Sequence, residues 1–279
     1  MDKFLISTRK IEPVNYTFYT VVMGLVLLVI WPWVFFAIST KFILLDLLSG
    51  AVFSLAMYVF FTALSKGEVS RVIPYIFGLV PVFDLLISFT TGHNALKINE
   101  FAAVFLLIPG ALLVSHHKGD NWAKHAALKT LSAFLFSAYY AIWQYASQSG
   151  HVLNDLMWNR IGAAGVLIFL LIFAKFRKKV FSFDKIEKKK QTSVFFIFKQ
   201  ILGGANFIFL SFLFVIGKIP LINALQGFRY IFLLIFSFII SKHRGHIIKE
   251  IHTKNIFTQK TFGILFIFIG TILLFADIF

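Results

Sequence analysis

Apolar residues run along this chain in uninterrupted blocks, and polar residues gather between the blocks instead of alternating with them. Alternation with a period of two would mark a membrane barrel. Continuous runs read as helices, which satisfy their own backbone hydrogen bonds without water. The runs fall near 17–38, 45–64, 72–91, 100–115, 128–147, 156–174, 195–216, 220–241 and 261–277. A helix of about 20 apolar residues crosses roughly 30 Å of hydrocarbon. The pattern therefore predicts an all-α polytopic membrane protein with nine transmembrane helices. The longest connections are 116–127, 175–194 and 242–260, so any site has to lie within the helices or at their mouths.

Two stretches of the chain share an outline. Gly50–Leu113 and Gly203–Leu274 each start with a span rich in small residues (GAVFSLAMYVFFTAL; GGANFIFLSFLFVIG) and then turn tightly (SKGEVS; GKIP). A span marked by proline or polar residues follows (RVIPYIFGLVPVFDLLI; LINALQGFRYIFLLIF), and a glycine-containing span closes each copy (FAAVFLLIPGALLV; FGILFIFIGTILLF). The copies begin five crossings apart, so they run in opposite directions. Inverted repeats of this kind are a transporter architecture with a binding site at the midplane.

Ionisable residues at depth in a membrane are expensive and usually face the bundle interior or a water-filled path. Asp84, Arg160, Lys199 and Arg229 stand out. Asp84 follows Pro74 and Pro81 and reads as the acidic residue placed well inside a span; it is either a proton-carrying group or the neutraliser of Arg229 or Lys199. Arg160, at the start of its span, binds an anion or snorkels to the head groups. Lys199 and Asn206 share a helix face at a separation of seven, and Asn223, Gln226 and Arg229 form a polar stripe at spacings of three. Tyr58, Tyr75, Tyr139 and Trp143 combine an aromatic face with a hydrogen-bonding tip, and Tyr139 and Trp143 lie one turn apart. These ten residues other than Arg160 are the candidate substrate-binding set: Tyr58, Tyr75, Asp84, Tyr139, Trp143, Lys199, Asn206, Asn223, Gln226 and Arg229. Trp31, Trp33, Trp122 and Trp158 fall near span ends, where interfacial tryptophans sit. Small residues at Gly162–Gly165 and Gly203–Gly204 are expected to permit close helix contact.

Composition supports the membrane reading: of the 279 residues 59% are hydrophobic and 14% charged, against about 25% charged in soluble domains. The +15 net charge collects in the connections. Residues 175–190 carry eight basic and two acidic groups, and the other long links carry a smaller surplus of the same sign. Contact with anionic membrane lipids accounts for this charge, and nucleic acid is not an expected partner. The positive-inside rule places the N-terminus in the cytoplasm and the C-terminus outside. No cleavable signal is visible in the first 15 residues. Cysteine is absent. The histidines at 116, 117, 125, 243, 246 and 252 lack metal-site spacing, and neither phosphate-loop nor dinucleotide motifs occur. The chain is expected to be no enzyme and to need no cofactor.

The segment from Phe60 to Phe83, FFTALSKGEVSRVIPYIFGLVPVF, resembles the tight turn and proline-marked fourth helix of the EamA-like branch of the drug/metabolite transporter superfamily. Glu100 and Gly110, Leu202–Phe236 and Gly263–Leu274 are similar to that family's fifth, eighth, ninth and tenth helices. The resemblance implies two inverted repeats, at 1–115 and 128–279, with the first 15 residues resembling the loop after a missing first helix. The family's ten-helix topology would put the 175–190 loop outside, against the charge distribution. What the resemblance implies is a secondary transporter of a small metabolite or amino-acid-like solute. It would be an exporter in the bacterial inner membrane, working by alternating access with proton coupling through Asp84. The alternatives are a non-transporting structural or assembly membrane protein and an intramembrane enzyme.

Overall fold

The computed structural model describes residues 12–90, 98–115, 122–181, 190–216, 232, 236 and 254–273. All regular structure among them is helical: α1 (Pro13–Met23), α2 (Trp31–Val34), α3 (Thr40–Lys66), α4 (Val69–Thr90), α5 (Ile98–Ser115), α6 (Trp122–Ala146), α7 (Val152–Leu170), α8 (Ala174–Phe181), α9 (Lys190–Ile216) and α10 (Lys254–Leu273). A 3₁₀ stretch, Gly24–Ile30, joins α1 to α2. Three helical segments among the described residues are long and apolar enough to cross a membrane: Pro13–Val34, Thr40–Lys66 and Val69–Thr90. Shorter apolar helices cover Phe101–Val114, Gln200–Leu210 and Thr258–Leu273. The protein is thus an all-α, multi-pass membrane protein. The expected spans at 128–147 and 156–174 form α6 and α7, whose apolar runs are interrupted by Lys129 and by Asp155 and Arg160. The span expected at 220–241 lies outside the described residues apart from Phe232 and Phe236. The basic connection after α7 begins with a short helix, α8, where the sequence suggested only a link.

The chain forms two compact units, residues 1–61 with 139–217 and residues 62–138 with 218–279. In the first unit α3 and α7 meet at backbone distance. A Cβ on Gly50 would overlap the Asn159 carbonyl oxygen, and one on Gly162 would overlap the Leu47 carbonyl. Ser54 Oγ donates to the Ala163 carbonyl oxygen at 2.6 Å, and Asn159 Nδ2 donates to Ser49 Oγ at 2.7 Å. Ser49 with Asn159 and Ser54 with Ala163 step up both helices together, so α3 and α7 run in the same direction here. Small residues that let backbones approach are the usual means of helix association in lipid, where hydrophobicity alone gives no drive. Of the expected small-residue contacts, Gly162 makes one, whereas Gly165, Gly203 and Gly204 face open space.

In the second unit α5 and α10 are antiparallel. Asn99 Nδ2, in the first turn of α5, donates to the carbonyl oxygen of Leu273, the last residue of α10. Gln259 Nε2, early in α10, donates to Leu113 O near the end of α5. Between these ties Gly110 and Gly263 face each other, each placing a would-be Cβ 2.9 Å from the other's carbonyl oxygen. The SKGEVS turn is as tight as its sequence suggests, with α3 ending at Lys66 and α4 starting at Val69. Glu68 in that turn accepts from Arg71 Nε at 2.7 Å and from Lys260 Nζ at 2.8 Å, and Lys260 also donates to Ser70 Oγ at 2.7 Å. Burial pushes the Glu68 carboxyl up, but the hydrogen bonds and charge of Lys260 and Arg71 outweigh it and hold the group below the usual 4.5.

Candidate functional site

The first unit encloses a cluster of polar and aromatic side chains supplied by α3, α6, α7 and α9. On α3 the buried residues Asp46, Ser49, Gly50, Phe53 and Ser54 recur at helical spacing and so fall on one face. On α7 the buried Asp155 and Asn159 share a face four residues apart, and the buried Arg160 follows about 100° round the helix. The Arg160 guanidinium lies 3.6 Å from the Phe207 ring centre and 5.2 Å from that of Phe53. Phe53 and Tyr139 are 5.1 Å apart between centroids, Phe53 and Phe207 5.5 Å, and Tyr139 and Phe207 stack at 6.4 Å. Two aromatic rings therefore flank the cation, and Tyr139 packs against both of them. The Arg160 stem passes Gly24, where a Cβ would come within 3.3 Å of its Cδ; the glycine at the end of α1 makes room for it.

Arg160 is only 6% exposed, and its Nε has no hydrogen-bond partner among the described residues. Among the described residues it makes no ion pair. That combination is costly: insertion scales put a cation at the bilayer centre at about 2.5–3.5 kcal/mol. Cation–π contact returns about 2 kcal/mol when desolvated. An apolar residue of similar reach would fill the same space with no charge to desolvate, so packing does not explain an arginine at this position. The side chain is enclosed by protein.

Asp46 is the residue that sequence reasoning missed. It is fully buried, and among the described residues neither carboxylate oxygen has a hydrogen-bond partner. It feels the charge of Asp155, and Tyr139 feels both Asp46 and Arg160. Asp46 is a second acidic residue in a helix long and apolar enough to cross a membrane, near the start of α3. The usable signal was positional: Asp46 stands one turn before Ser49–Gly50, on the face that the small residues mark for close contact.

The proposed binding residues divide as follows. Tyr139 and Trp143 are buried together in the first unit, the latter with its indole Nε1 unpartnered. Asn206 lies on the exposed side of α9, and Tyr58, 41% exposed, on the outer side of α3. Lys199 is within α9. Tyr75 and Asp84 belong to the second unit. The Tyr75 hydroxyl pairs with Thr130 Oγ1 at 2.9 Å, under the Lys129 ammonium 4.8 Å from its ring centre. Asp84 accepts from Ser137 Oγ at 2.5 Å. The stripe Asn223, Gln226 and Arg229 lies outside the described residues. Of the four tryptophans expected at span ends, Trp31 and Trp158 meet edge-to-face at 5.1 Å, and Trp31 Nε1 donates to Asn154 Oδ1 at 3.1 Å, beside the start of α7. Trp33 is exposed.

The sequence matches no protein-family model, and no curated protein matches it. The site is read from its own geometry.

Proposed function

We propose that this protein is a secondary transporter of a small, carboxylate-bearing metabolite or amino-acid-like solute, related to the EamA-like drug/metabolite transporters and working by alternating access. The observation that carries the reading is Arg160, a buried cation without an ion-pair partner among the described residues, flanked by Phe53 and Phe207 with Tyr139 packed against both rings. A guanidinium offers a fixed fork of donors that matches a carboxylate in two-point contact. The aromatic walls would take the apolar body of the solute. Arrival of an anion neutralises a charge that is otherwise unpaired at depth, so binding gains where the empty site loses.

The antiparallel pairing of α5 and α10 supports the inverted-repeat reading, because these are the closing spans of the two sequence repeats and they meet through Gly110 and Gly263, glycines within those repeats. Transport would be export across a bacterial inner membrane, with Tyr139 and Trp143 lining the path and Asp84 as the candidate proton carrier.

A binding screen tests this directly. Detergent-purified protein is heated with a panel of amino acids and small carboxylates, each beside its neutral amide. The reading expects a raised unfolding midpoint for some carboxylates and not for their amides, and loss of that response in Arg160→Gln. Equal stabilisation of wild type and Arg160→Gln by the same solutes contradicts it.

A further inference from the structure

Four buried oxygens without hydrogen-bond partners among the described residues lie on the facing sides of α3 and α7: both carboxylate oxygens of Asp46, Oδ1 of Asp155 and Oδ1 of Asn159. The neighbouring geometry ties them to one place. Asn159 Nδ2 donates to Ser49 Oγ at 2.7 Å, which leaves its amide oxygen as the unused end of a fully buried side chain. Asp46 precedes Ser49 by one turn on α3, and Asp155 precedes Asn159 by one turn on α7; with the helices parallel at this crossing, the two carboxylates fall at the same level. Their mutual charge interaction agrees with that placement. The other Asp155 oxygen accepts from Ser149 Oγ at 2.6 Å.

We propose that this crossing binds a sodium ion, liganded by Asp46, Asp155 and the Asn159 amide oxygen. The donor set is all oxygen, which suits a hard cation and not a transition metal. A proton shared between two of the four oxygens leaves the other two buried without a donor, whereas an ion engages all of them. Charge selects the valence. Among the titratable groups near Asp46 are Asp155 and Tyr139, with Arg160 close to Tyr139 and His151 close to Asp155. Two like charges facing each other at depth are not both carried, so the carboxyl pair holds one negative charge, which a monovalent ion cancels and a divalent one would overshoot, and Arg160 is left for the solute. Asp46 is six residues into α3, about 9 Å along the helix from Thr40, so the ion enters from the end at which Trp31 and Trp158 sit.

The ion site deepens the transporter reading by supplying a coupling ion, and rests on that reading only for what the ion drives. Binding is measured first, on purified protein without solute. At constant ionic strength, sodium replaces N-methylglucamine while the unfolding midpoint is followed, with potassium, calcium and pH series in parallel. The proposal expects a saturable rise with sodium, little response to potassium, and a half-saturating concentration raised roughly tenfold in Asn159→Ala, a change typical of a lost metal-site contact. Asp46→Asn should abolish the response; where that variant does not fold, Asn159→Ala and the wild-type ion series decide. A midpoint indifferent to sodium, or one that moves only with pH or calcium, overturns the site. Sodium binding without any carboxylate response keeps this site and removes the transporter reading; a carboxylate response without sodium binding does the reverse.

Discussion

Arg160 and Asp46 are the two side chains that a purely structural account explains least. Each is buried with polar atoms unpartnered, and each could be replaced by an apolar residue of similar reach with no hydrogen bond lost. Replacing buried ions by well-packed apolar groups is often neutral or stabilising. Arg160→Met is therefore expected to leave the unfolding midpoint unchanged or raised, by about 1–2 kcal/mol of stability, while removing the carboxylate response. A large fall in midpoint would mean that the guanidinium holds the aromatic cluster together. At this scale the sequence was partly legible. The four-residue spacing of Tyr139 and Trp143 identified a shared buried face, because helical periodicity is local. Asp46 and Arg160 lie in the first turns of their spans, where a charged residue reads as near the water. Their burial depends on α3 and α7 meeting each other, which no local pattern encodes.

Helix pairs meet here through glycines, and open and crowded glycines occur within one short stretch. Gly50→Val and Gly162→Val place branched side chains against facing backbone and would separate α3 from α7. The expected cost is about 3 kcal/mol, read as a lower unfolding midpoint. Gly165→Val enters open space and should stay within about 0.5 kcal/mol of wild type; equal losses in all three would show that the α3–α7 crossing is not the determinant. The sequence marked 162–165 as one small-residue patch, yet which glycine is crowded depends on the partner's register. The α3–α4 turn offers an independent check. Because the Glu68 carboxyl is held below its unfolded value of 4.5 by Lys260 and Arg71, its contribution is fully present above that pH and is lost as pH falls through the folded value. The acid limb of wild-type stability should therefore steepen below pH 4.5, and Glu68→Gln should flatten it. Identical acid limbs would remove Glu68 from that role.

For the molecule as a whole, the block pattern of apolar residues was sufficient to establish a multi-pass helical membrane protein, since length and apolarity are the same quantities a bilayer selects. The opposed directions of the two glycine-containing closing spans were also legible, from the odd number of crossings between the repeats, and α5 and α10 do run antiparallel. The polar and aromatic cluster of the first unit was not, because it is assembled from α3, α6, α7 and α9, elements far apart in the chain. The account is tested most directly by transport itself. Protein reconstituted into liposomes and preloaded with the carboxylate that best stabilises it is diluted into a trace of the same labelled solute. Counterflow should accumulate label transiently in wild type and not in Arg160→Gln inserted at the same level. Absence of counterflow in wild type, or equal counterflow in Arg160→Gln, would contradict a transporter built around this arginine.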